Sequence, residues 1–200
     1  MTGLSWESKL LWTAKDMFRY PDQENMPEMI ADLRQLLDWA QQARKESFGP
    51  ETLTSAADNA DLDQLQVDFT ALFINAFPSC KAHPFAGWYE GDALIMGPSD
   101  NRVRQFYSHY GVECDQLQVP ADHIMVELEF MAIMAEKFEE TGDAFYFAAM
   151  QEMMNQQLEH WVLIFLKNIE ENARTNFYRD LAAVLVILFK ELTIKLKEVA

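Results

Sequence analysis

Residues 122 to 127 read Asp-His-Ile-Met-Val-Glu, and they are the first place in this 200-residue sequence where proton transfer or ion binding could be built. His123 and Glu127 stand four apart, which puts them on one face of a helix, with Asp122 beside them. Such a set could relay a proton or receive a guanidinium. Asp122 also reads as a helix N-cap, because it follows Pro120 and opens an apolar-periodic run, with His123 then in the first turn. Cys80 and His83 have the spacing of half a zinc site, but no second pair of ligands follows. None of the four histidines has a Glu three residues before it, the pairing by which acidic helical bundles hold two irons or manganeses. No metal is expected.

Catalytic signatures are equally sparse. No Gly-x-x-x-x-Gly-Lys-Ser/Thr loop is present, and the segment from Gly91 to Gly97 lacks the Lys and hydroxyl that would hold phosphates. There is no Gly-x-Ser-x-Gly elbow, and neither Cys80 nor Cys114 carries a local nucleophile signature. No catalytic residue is therefore assigned. A weak nucleotide hydrolase using Asp122 and His123 is the rival reading from another class.

The elements that must position these residues are helical. Gly and Pro number seven each, β-branched residues form no long runs, and half of the chain is apolar, so an all-α fold with a substantial core is expected. Apolar residues recur at helical spacing in Leu4 to Phe18, in Ile30 to Ala40 and, after a polar stretch, in Leu62 to Ala76. The second half predicts helices over roughly Asp122 to Glu140, Asp143 to Glu171 and Asn176 to Glu198, broken at Thr141-Gly142 and at Asn172 to Asn176. Met131, Met134, Met150, Met153 and Met154 fall on these apolar faces and are read as core. Between Pro78 and Pro98 lie three of the seven glycines and three of the seven prolines, which predicts a long functional loop at about 78–98. A short helix follows from Ser99, with Val103, Phe106, Tyr107 and Tyr110 inward. No constant repeat period appears, so the reading is one all-helical domain over residues 1–200.

Thirty-two acidic against sixteen basic residues give a formal charge of −16, which repels nucleic acid and anionic lipid and favours cationic partners. The same charge also serves solubility. The longest apolar run, Leu181 to Phe189, is about half of a membrane span, so no stable membrane insertion is expected. The start, Met1 to Leu11, carries Glu7 and Lys9 and does not read as a signal peptide. With only two cysteines, the expected compartment is the cytoplasm.

One stretch is more specific. From Asp68 the sequence carries Leu72-Phe73, a Pro/Gly-rich loop, Leu94-Ile95-Met96-Gly97-Pro98, Val103-Arg104, Phe106-Tyr107 and Gly111, then Pro120-Ala121-Asp122-His123 and Glu127-Leu128-Glu129-Phe130-Met131. Trp161 and Phe177-Tyr178-Arg179 extend the pattern. Together these resemble the TorD/DmsD family of redox-enzyme maturation chaperones over roughly Leu62 to Phe189. The first 60 residues match only as generic helices. The resemblance implies an all-helical cytoplasmic protein that binds the twin-arginine leader, or a cofactor-free folding intermediate, of a molybdopterin-containing oxidoreductase. On that reading it prevents premature export and assists cofactor insertion. A subunit without an export leader is the alternative client.

The resemblance also implies weak guanine nucleotide binding and no other cofactor. The connection at Asn172 to Asn176 and the loop at 111–121 are where helices could be exchanged, so a monomer or domain-exchanged dimer is expected. Two departures bear on the client more than on the fold. Pro84-Phe85-Ala86-Gly87 stands where the family usually has Pro-aromatic-Glu-Ser, and Gln157-Leu158-Glu159-His160-Trp161 where His-Leu-x-x-Trp is expected. A leader has two guanidiniums followed by an apolar stretch, so its receptor needs an apolar wall beside negative charge. Phe69, Leu72 and Phe73, next to a loop bearing Phe85 and Trp88, are expected to form the first, and Asp122 and Glu127 the second; Gly97 and His123 complete the candidate peptide-binding residues. Phe69, Leu72 and Phe73 read equally as core positions of an amphipathic helix.

Overall fold

The computed structural model describes residues 7–43, 60–75, 79–92, 95–113 and 119–198. Every regular element among them is a helix: α1 (Glu7–Asp16), α2 (Met26–Ala43), α3 (Leu62–Phe69), α4 (Ala86–Glu90), α5 (Pro98–His109), α6 (Ile124–Thr141), α7 (Ala144–Met153), α8 (Glu159–Asn172) and α9 (Asn176–Glu198). The all-α expectation holds. Two single turns of π-helix, Thr70–Ile74 after α3 and Met154–Leu158 between α7 and α8, widen what the periodicity presented as plain α-helix. Leu4, Ala76, Pro78, Leu94 and Cys114 lie outside the described residues.

The chain forms two compact units, one from residues 1–15, 84–163 and 192–200, the other from 16–83 and 164–191. In the first, the central element is α6. Eight of its apolar residues are buried, from Ile124 and Val126 to Met134 and Ala135, so the helix is enclosed on most sides and not merely amphipathic. Phe130 stacks on Tyr107 of α5 at 4.7 Å between centroids. At its end Gly142 takes φ 66°, the left-handed conformation that glycine adopts without steric cost, and the Asp143 side chain then caps α7 by accepting from Phe145 N–H at 2.9 Å. This turn folds α7 back onto α6, where Phe147, Met150 and Met153 are buried. All five methionines assigned to the core are buried.

The second unit is organised by aromatic packing. Phe73 meets Phe18, Phe69, Phe165 and Tyr178 at centroid distances of 5.8, 4.9, 6.0 and 5.7 Å. Asp68, on α3 and buried, accepts from the backbone N–H groups of Arg174 and Thr175 and from the Thr175 hydroxyl at 2.7–3.1 Å. It thereby satisfies donors just ahead of α9 from a carboxylate 106 residues away in sequence.

Candidate functional site

The most constrained region of the first unit is the stretch read from sequence as a long loop. Part of that loop is α4, a single helical turn pinned to the start of α6. Ala86 N–H donates to Asp122 O at 3.0 Å, Ile124 N–H to Pro84 O at 2.9 Å, and the Phe85 and His123 rings meet edge-to-face at 5.1 Å. The Asp122 carboxylate completes the join, its Oδ2 accepting from Gly87 N–H at 2.9 Å. Position 87 has no room for a side chain, because a Cβ there would stand 2.8 Å from Asp92 Oδ2 and 3.1 Å from Asp122 Oδ2. Asp92 in turn accepts from Ser99 N–H at 2.9 Å and satisfies a donor in the first turn of α5.

Asp122 is therefore not the cap of α6. That role falls to His123, whose Nδ1 accepts from Met125 N–H at 3.1 Å. An acceptor Nδ1 leaves the ring proton on Nε2, and burial pushes the His123 pKa down to about 4, so the imidazole is neutral at physiological pH. Asp122 is only 4% exposed, and its second oxygen, Oδ1, is buried without a hydrogen-bond partner. Desolvation raises its pKa, opposed by the Gly87 bond, with the Asp100 carboxylate adding to the rise.

Glu127, one turn further along α6, is fully buried. Trp161 Nε1–H of α8 donates to its Oε2 at 3.1 Å, while Oε1 has no partner. Desolvation first, and then the charge of Asp122, hold its carboxyl well above the usual range. Burial therefore favours the neutral acid over the charge that the sequence reading expected Glu127 to offer. Tyr89 of α4 stacks on Trp161 at 5.5 Å and closes this side of the cluster.

The exposed anion nearby is one that sequence reasoning missed. Glu90, at the end of α4, takes Arg102 Nη2 of α5 on both oxygens, at 2.7 and 2.6 Å. The same Nη2 reaches Ser99 Oγ and Gln157 Oε1, each at 3.2 Å. No spacing rule pairs residues twelve apart across an irregular turn, and Gln157 was visible only as part of a departure from a motif. The Glu90–Arg102 pair and the Asp122–Glu127 pair act on each other, since both Glu90 and Arg102 shift Glu127.

Large apolar side chains of the same segment face solvent. Trp88 is 53% exposed, held at the surface by the bonded Gly87 before it, and Ile95 and Met96 on the connection from α4 to α5 are exposed as well. Met96 adopts φ 61°, a conformation that costs a residue other than glycine about 1–3 kcal/mol. Gly97 is the N-cap residue of α5, where its carbonyl accepts from Asn101. Phe69, Leu72 and Phe73 belong to the second unit, where all three are buried. The apolar wall expected from them is not presented to solvent. Cys80 Sγ and His83 Nδ1 do meet, at 3.0 Å, but burial raises the thiol pKa and lowers that of the imidazole, which favours the neutral pair. Among the described residues no group of three or more potential metal ligands forms.

A family model described as nitrate reductase delta subunit matches residues 21–167 of the chain. The chain belongs to this family, of the TorD type. Its relatives include the chaperone protein TorD of Vibrio cholerae, 26% identical over 92% of this chain and 85% of the relative. The chaperone protein YcdY of Escherichia coli is 29% identical over 66% of this chain and 65% of its own. A solved structure from Archaeoglobus fulgidus, named for redox enzyme maturation, superposes with a TM-score of 0.55 at 24% identity, covering 90% of this chain and 93% of that one. The resemblance read from Leu72-Phe73, Asp122-His123 and their neighbours thus holds, and with it the all-helical TorD-type fold. The TorD-type relatives are chaperones, not enzymes, and the rival reading of Asp122 and His123 as hydrolase residues is set aside. No helix among the described residues is long and apolar enough to cross a membrane.

Proposed function

We propose that this TorD-type maturation chaperone works in the cytoplasm on a molybdopterin-containing oxidoreductase subunit. It holds the twin-arginine leader or the cofactor-free subunit, so that export waits for cofactor insertion. The observation that carries the reading is the exposure of Trp88 beside a bonded Asp122, with Ile95 and Met96 exposed on the same connection. An aromatic in the middle of a single helical turn, with its backbone hydrogen-bonded and about half of the residue exposed, is a pre-organised anchor for an apolar segment. The exposed Glu90 carboxylate two residues on and the formal charge of −16 favour a segment that is basic as well as apolar.

Binding of this kind needs no covalent chemistry. Apolar contact with the indole gives affinity, guanidinium–carboxylate bonds give selectivity for arginine, and the net charge speeds encounter. The test is capture of the tagged protein from the cytoplasm of its native cells, with identification of what is retained. A molybdoenzyme subunit is expected in the eluate of the parent, reduced in that of Trp88→Ala. Retention of equal amounts by both proteins, or of no oxidoreductase by either, would overturn the reading.

A further inference from the structure

The side chain of Arg102 shows how an arginine is received in this protein. Four acceptor atoms from three elements converge on one guanidinium nitrogen: both carboxylate oxygens of Glu90 on α4, the hydroxyl of Ser99 on α5 and the amide oxygen of Gln157 in the π-turn. That nitrogen carries only two N–H groups, fewer than the four acceptors around it. Glu127 lies within the electrostatic reach of Arg102. The acceptors thus outnumber what the resident side chain satisfies. The Arg102 side chain is 44% exposed, so the site opens to solvent, and exposed ion pairs are weak enough to exchange readily. Trp88, two residues before Glu90, supplies an exposed apolar surface on the same short helix.

We propose that Glu90, Ser99 and Gln157 form a guanidinium socket, and that Arg102 is its internal occupant, displaced when an arginine of an apolar, basic client segment docks. This rests on the reading of the unit as a receptor for such a segment and adds the atoms that take the charge. It also moves the receiving anion from Asp122, which is committed to Gly87 N–H, to Glu90. The socket carries a sign opposite to that of an ordinary structural ion pair: removing Arg102 strengthens client binding, because the ligand no longer competes with a tethered rival.

The experiment is calorimetric titration of the folded full chain, as parent, Arg102→Gln and Glu90→Gln, with an apolar peptide carrying two arginines and with the same peptide carrying two lysines. For Arg102→Gln the arginine peptide is expected to bind about two- to five-fold more tightly, the range set by an exposed pair, with the lysine peptide nearly unchanged. Glu90→Gln is expected to weaken the arginine peptide in particular. An equal gain for both peptides would reduce Arg102 to its overall charge, and no gain or a loss would make the pair structural. Either result overturns the socket while parent binding leaves the receptor reading standing. If neither the parent nor Arg102→Gln binds the arginine peptide, both fail together.

Discussion

Glu127→Gln separates a buried neutral acid from a buried anion. The unfolded chain releases the Glu127 proton in the ordinary range near 4.5, whereas the folded protein retains it to well above that value, chiefly because the group is fully buried. Between those two points the folded state binds one proton more than the unfolded state, so this residue makes stability fall as pH rises. The slope is about 1.4 kcal/mol per pH unit over that window. Gln keeps an acceptor for Trp161 Nε1–H and, like the protonated acid, presents a donor where Oε1 now sits. The two proteins are therefore expected to be of similar stability below the ordinary carboxylate range. Above it the variant becomes the more stable, by an amount that grows by about 1.4 kcal/mol per unit until the raised folded value is passed. Asp180, pushed up to about 6 by burial, contributes the same slope to both proteins and cancels in the comparison. Urea unfolding of parent and variant at half-unit steps from pH 4 upward measures the gap. Parallel curves at every pH would mean that Glu127 titrates normally, and the reading of a neutral carboxyl against Trp161 would be wrong.

Two further outcomes follow from the same region. Gly87→Ala should lower the melting temperature and cost about 1–3 kcal/mol, because the new Cβ meets carboxylate oxygens of Asp92 and Asp122; thermal circular dichroism reads it, and an unchanged melt would contradict the close approach. For His123 the folded pKa of about 4 lies below the unfolded value of 6.5, so the unfolded state binds the extra proton and stability is lost as pH falls through that interval, by up to about 3 kcal/mol. His123→Gln should flatten this acid limb, whereas an equally steep limb in the variant would place the titration elsewhere.

The helices were legible because their signals are local. The 3.6-residue recurrence from Phe147 to Phe165 and the Thr141-Gly142 break report what each stretch does by itself; the structure keeps the break and the helical course, apart from the π-turn at Met154–Leu158 that periodicity does not show. The site was legible in its residues but not in their roles. Asp122 carries the type and position of an N-cap, yet the cap is His123, because the carboxylate is drawn to Gly87 N–H 35 residues earlier. Glu127 was chosen as an anion from its spacing, and spacing is silent on burial. Phe69, Leu72 and Phe73 show the converse, since the motif that marked them for binding is the same periodic pattern that buries all three and packs Phe69 and Phe73 against Tyr178. Glu90, Arg102 and Gln157 were missed because their meeting depends on how α4, α5 and the π-turn pack, which no single-sequence rule encodes.

The central claim is that the exposed aromatic on α4 and the acid around it receive a basic, apolar leader. Its most direct test is calorimetric titration of parent and Trp88→Ala with a twin-arginine leader peptide, at low and at physiological salt, alongside a version in which both arginines are glutamine. The account predicts that the parent binds the arginine peptide and loses affinity as salt rises, since exposed charges are screened over about 8 Å at physiological ionic strength. The glutamine peptide should bind more weakly, and Trp88→Ala should weaken both peptides with its melting temperature nearly unchanged. Equal affinity of the parent for both peptides, unmoved by salt and by loss of the indole, would contradict it.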